Sequence, residues 1–179
     1  MPLNRPVAAA VLALLLSGCG LLPLPESRPA DFHFVNILGP GELTPGQVAY
    51  MDANQFDFNS IPRLPYRDMT LDADLVYRGA SPRLRLQVFV AATRPPCRVV
   101  RSSRQGYTDA LLCDGPGGGT IAAETVLRPG VPAPVRLGGD ELDRAARGQT
   151  LYLGVRLLEG RTTPSEWVDV RNIRVRGRL

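Results

Sequence analysis

Apolar and polar residues alternate with a period of two along much of the chain, the spacing of strands that bury one face and wet the other. In "TLDADLVY", residues 70–77, Leu71, Ala73, Leu75 and Tyr77 share one parity, and Thr70, Asp72 and Asp74 share the other. "RLRLQVFV", residues 83–90, repeats this with Leu84, Leu86, Val88 and Val90. "RGAS" supplies a four-residue loop between Tyr77 and Pro82, which predicts a hairpin with Leu75 opposite Leu84, Ala73 opposite Leu86 and Leu71 opposite Val88. Both apolar faces then coincide. The same register sets Asp74 opposite Arg85. Asp72 and Asp74 therefore read as a solvated cross-strand charge ladder, in preference to a carboxylate pair for acid–base chemistry or calcium.

The same pattern predicts strands at 32–38, 47–51, 98–101, 110–113, 120–127, 134–137, 150–158 and 167–176. Within 150–158, Leu151, Leu153, Val155 and Leu157 point inward. In the last strand Val168 and Val170 keep one parity while Ile173 and Val175 take the other, which calls for a bulge near Asn172 or a bend between sheets. "GDELDRAARG" is the one credible helix. Asp140 is its candidate cap, Leu142, Ala145 and Ala146 form one face, and Gly148 ends it. Many short strands, frequent Gly and Pro and one short helix predict an all-β fold. The expected architecture is an antiparallel β-sandwich, jelly-roll or immunoglobulin-like, built as a single domain over residues 32–179. The segment 36–67 is Pro- and Gly-rich and less regular. It is expected to cover one end of the sandwich or to form a partner surface.

The N-terminus has a different texture. Arg5 precedes ten residues, 7–16, without a polar side chain. As a helix they rise only ~15 Å, half of a bilayer's hydrocarbon core, so they predict an export signal over residues 1–18 and not a permanent span. The tetrad Leu16-Ser17-Gly18-Cys19 that follows resembles the lipobox of bacterial lipoprotein precursors. That resemblance implies cleavage before Cys19 and acylation of its thiol and new amino group. Small Ser17 and Gly18 suit a narrow peptidase cleft, and only a thiol forms the thioether. Two or three acyl chains, at ~0.8 kcal/mol per buried methylene, hold a protein on a membrane almost permanently. The expected location is the cell envelope, lipid-anchored and facing away from the cytoplasm. "GLLPLPESRPAD", residues 20–31, carries three prolines and no periodicity. With Cys19 it reads as a semi-rigid tether.

Lipidation of Cys19 leaves Cys97 and Cys113 as an even pair. Each stands at the edge of an apolar run, and the segment between them is polar, so one disulfide across a hairpin is expected. A metal site or a reactive thiol is the weaker alternative, because His33, the chain's single histidine, lies far away in sequence. All 21 basic residues are arginine, and the net charge of +4 is scattered. That disfavours nucleic acid as a partner.

Chemistry-bearing motifs are few. "GPGGGT", residues 115–120, lacks the Gly-Lys-Ser/Thr ending of a phosphate loop and reads as a flexible hairpin tip. His33 sits between Phe32 and Phe34, so burial of the phenylalanines leaves it exposed or at an edge, a surface histidine and not a general base. Neither G-x-S-x-G nor H-E-x-x-H occurs. Trp167 and Tyr152 are the candidates for a ligand or partner surface, as flat faces on which a sugar would stack. "DELDRAARG", "LYLGVRLLEG" and "RNIRVRGRL" together look like a pattern in small uncharacterised lipoproteins of deinococcal-type bacteria. The similarity spans residues 69–179 and implies fold and location only. The expected function is a structural or binding module of the envelope, with no catalysis, cofactor or metal. Its partners would be the membrane through the lipid and another envelope protein or a glycan. A glycan- or small-ligand-binding lipoprotein is the alternative, and an envelope hydrolase a third.

Overall fold

The computed structural model describes residues 23–35, 43–44, 46–56, 64–102, 107–164 and 166–179. The expected export signal, the lipobox-like tetrad with Cys19 and most of the irregular segment 36–67 outside strand β2 lie outside the described residues. Among the described residues, ten strands and one helix follow in chain order. They are β1 Phe32–Val35, β2 Gln47–Met51, β3 Arg67–Arg78, β4 Leu84–Ala91, β5 Arg98–Val100, β6 Ala110–Asp114, β7 Thr120–Leu127, β8 Pro132–Gly138, α1 Asp140–Gly148, β9 Tyr152–Glu159 and β10 Trp167–Arg178.

The strands form two antiparallel sheets, one ordered β1-β10-β3-β8 and the other β5-β6-β2-β9-β4-β7. The protein is thus an all-β sandwich with one short helix. Setting the β5–β6 hairpin aside, the remaining eight strands switch sheets at nearly every connection, with β1 beside β10 and β2 beside β9. This is jelly-roll order and not immunoglobulin order.

That topology corrects the expected hairpin. Strand β3 pairs with β10 and β8, and β4 pairs with β9 and β7. The alternation of residues 70–90 is nevertheless satisfied, because Ala73, Leu75 and Tyr77 face Leu84, Leu86, Val88 and Val90 across one shared core. Facing each other and pairing edge to edge put the same residues inside. A buried carboxylate fixes the crossing loop. Glu166 accepts hydrogen bonds from Tyr77 Oη at 2.7 Å, Ala80 N at 3.0 Å and Thr163 N at 3.0 Å. Tyr77 folds back beneath Gly79, where a Cβ would strike its ring.

The charge ladder exists with other partners. Asp72 pairs with Arg136 at 2.6 Å and Arg176 at 3.1 Å, and Asp74 accepts from Asn172 Nδ2 at 2.8 Å. Arg85 pairs with Glu124 instead. The predicted break in β10 is present: the register slips between Arg171 and Arg174, and Asn172 takes φ +54°. This bulge returns Ile173 and Val175 to the core beside Val168 and Val170.

Helix α1 closes one end of the sandwich with Leu142, Ala145 and Ala146 buried. Its N-cap is Gly139, not Asp140. No side chain caps that end, and Asp140 is the first helical residue. Buried Glu141 accepts from Ala92 N at 2.7 Å, and Asp143 accepts from Asp68 N at 3.1 Å and Met69 N at 2.7 Å, which ties the helix to both sheets.

The Pro-rich tether is docked over most of its length. Leu24 N donates to Gly177 O at 2.9 Å, Ser27 exchanges backbone bonds with Val175 at 3.0 and 2.8 Å, and Glu26 pairs with Arg176 at 2.8 Å. Residues 23–31 therefore run antiparallel beside β10 up to β1. The absence of periodicity did not prevent this, because an exposed sheet edge offers backbone partners to any extended segment.

The disulfide joins Cys97 and Cys113 across the β5–β6 hairpin, as expected. "GPGGG" is not a hairpin tip. It carries the chain from β6 to β7 past β2, β9 and β4, four strand spacings or about 19 Å. The crossing covers a second apolar cluster on the outer face, Val48, Tyr50, Phe89, Leu111, Cys113 and Tyr152. Tyr50 Oη donates to Pro116 O at 2.5 Å, and burial pushes this phenol up to about 12.

Candidate functional site

Among the described residues, the two sheets approach each other closely along the β7–β8 edge, and no strand contact of that kind closes the β1 side. Inward residues on this side are short: Ala49 on β2 and Ala73 on β3. A cavity of about 550 Å3 results. Its walls are aliphatic, with Leu71, Leu75 and Ala73 from one sheet and Leu86, Val88 and Leu157 from the other. Polar side chains gather toward the β1 side, where His33, Tyr107, Thr108 and Asp109 line it. The His33 and Tyr107 rings meet edge to face with centroids 6.4 Å apart, so β1 touches the segment leading into β6.

Inside, the carboxylate that borders the cavity is committed. Both oxygens of Glu166 are taken by Tyr77, Ala80 and Thr163. Burial on its own raises the acid, but the Ala80, Tyr77 and Thr163 donors outweigh that and hold its pKa below 4.5. Burial and then the bond to Glu166 push Tyr77 up to about 12. At neutral pH this pair is a fixed anion with a fixed donor, and neither is poised for proton transfer. At the rim, Asp109 Oδ1 accepts from Ser102 N at 2.9 Å.

The residues singled out in the sequence are dispersed. His33 is exposed on edge strand β1, as its phenylalanine neighbours implied, with Phe32 and Phe34 packed on the core. Trp167 is 42% exposed, borders the cavity rim and donates from Nε1 to Asp169 at 3.1 Å. Tyr152 is buried in the outer-face cluster at the far end of β9, paired with Ala91. Five or more residues of strand, about 17 Å, separate it from the Leu157–Glu159 end that lies nearer Trp167. The two aromatics do not make one platform. Among the described residues no group of three His, Cys, Asp or Glu side chains is placed to hold a metal ion, and no helix is long and apolar enough to cross a membrane.

Fold and site together define a jelly-roll sandwich whose distinguishing feature is a half-open apolar cavity between its sheets. Comparison with models of known protein families and with curated proteins finds no match. The cavity had no signature in the sequence beyond the small residues Ala49 and Ala73, since its volume is set by how far apart two sheets stand.

Proposed function

We propose that the protein is a lipid-anchored lipoprotein of the cell envelope that works as a non-catalytic binding module and accepts an apolar ligand between its sheets. The cavity carries the binding reading. Its 550 Å3 falls within the roughly 300–1,000 Å3 of small-molecule sites, which are concave, mostly apolar and edged by a few polar groups. The glycan alternative fits less well, because a sugar needs donors and acceptors along its length and the walls are aliphatic. The lipobox supports the anchor. Three residues, at most about 14 Å of chain, separate Cys19 from Pro23, which bridges to Arg178. In this reading the Arg178 end of β10 faces the membrane and the Trp167 end faces away.

Two measurements test the proposal. The mature N-terminus should begin at a diacylglyceryl-modified Cys19, and Cys19→Ser should move the protein from the membrane to the soluble fraction. The folded full chain should bind one equivalent of 1-anilinonaphthalene-8-sulfonate saturably, with enhanced dye fluorescence. An unmodified N-terminus elsewhere refutes the anchor, and absence of saturable dye binding refutes the module.

A further inference from the structure

We infer that the cavity takes the hydrocarbon chain of a single-chain amphiphile, such as a fatty acid or a lysolipid, with its polar head left at the His33–Tyr107–Thr108 rim. This rests on the binding-module reading and names its ligand.

The shape argues for a chain. The lining runs along β3 from Leu71 to Tyr77, six residues or about 20 Å at ~3.3 Å per residue. Carbons in contact sit ~3.5–4.0 Å apart, so an extended hydrocarbon chain laid along this bore touches the apolar walls along its length.

The chemistry agrees. Leu71, Leu75, Leu86, Val88, Leu157 and Val170 offer a long chain continuous dispersion contact and nothing to bond a hydroxyl. A sugar drawn inside would strand each hydroxyl at ~2–7 kcal/mol on scales with no compensating partner. The Glu166 carboxylate is already saturated by three donors and offers no free acceptor. Polar groups stand where a head group emerges, on the β1 side of the sandwich. Rim and walls thus sort one molecule into a wet end and a dry end.

The test uses the full chain titrated with cis-parinaric acid, a conjugated eighteen-carbon fatty acid, read by energy transfer from Trp167, the only tryptophan. Saturated fatty acids of increasing length, a lysophosphatidylcholine and maltose then compete for the site. Burial of each methylene at ~0.8 kcal/mol predicts about fourfold tighter competition per added carbon until the bore is filled. Competition by fatty acid alone assigns a carboxylate head. Competition by both lipids assigns the chain as the recognised part. Ala73→Phe places a ring in the bore and should weaken binding at least tenfold. Chain-length dependence in the unaltered protein keeps the test decisive if that variant fails to fold. Length-independent competition, displacement by maltose or unchanged affinity in folded Ala73→Phe overturns the inference. If anilinonaphthalene sulfonate binds and no acyl chain displaces it, the acyl assignment falls and the binding module stands. If neither binds, both fall.

Discussion

Replacing Glu166 by Gln should destabilise the sandwich through one loop. The carboxylate accepts from Tyr77 Oη and Thr163 N on one oxygen and from Ala80 N on the other. An amide keeps one oxygen. If that oxygen serves Tyr77 and Thr163, an NH2 group faces the Ala80 N–H, and this part-buried donor loses its partner at about 1 kcal/mol. The two surviving bonds lose charge assistance, roughly half their strength. The sum is about 3 kcal/mol, or a melting temperature lower by about 6–12 °C for a domain of this size. The pH dependence follows from the sign of the shift. Glu166 is held below 4.5 in the folded protein, so its contribution is complete above the unfolded value and is lost as pH falls through the folded one. Urea melts of Glu166→Gln and the unaltered protein should therefore differ by about 3 kcal/mol at pH 7 and converge as pH drops below 4.5. A difference under about 0.5 kcal/mol at pH 7, within the range of an ordinary surface change, refutes the argument. So does a gap that persists undiminished at pH 3.

Three further outcomes are expected. Removing the Cys97–Cys113 bond by a double Ala substitution opens a loop with a sequence separation of 16 and should cost about 3 kcal/mol in the chain-entropy model, measured by denaturant unfolding under non-reducing conditions. Gly154→Ala sets a Cβ 2.6 Å from the Tyr50 ring and should cost about 1–3 kcal/mol through overpacking, while Gly154→Ala combined with Tyr50→Leu recovers part of that loss in the same melts. Asn172 holds the bulge at φ +54°, so Asn172→Val should cost about 1–2 kcal/mol while Asn172→Gly stays near neutral.

Local rules reached far in this chain. The alternation of Leu151, Leu153 and Leu157 gave β9 its inward face. The parity change between Val170 and Ile173 located a bulge that β10 has. The helix at 140–148 was legible from Leu142, Ala145 and Ala146, although its cap was not. A side chain at N1 and a side chain at N-cap look alike in a sequence, and here Gly139 holds the capping position with φ +102°. The Cys97–Cys113 bond followed from cysteine parity and hairpin spacing.

Long-range choices were not legible, and the reason is common to all of them. Period two says which side of a strand is dry and nothing about which strand lies beside it. Residues 70–90 satisfy the same pattern whether β3 and β4 pair or face each other, so only the assembled sheets decided that they face. Residues 23–31 carry no periodicity, yet the free edge of β10 took them up through backbone bonds that any side chains permit. Tyr152 and Trp167 are equally aromatic on paper, and sheet membership buried one on the outer face and left the other at a rim. The sequence by itself determined the strands, the bulge, the helix and the crosslink, because each depends on neighbours within a few residues or on covalent arithmetic. The tertiary structure decided the jelly-roll order and the cavity, because pairing partners and empty volume are properties of sheets at a distance from one another, which no single strand encodes.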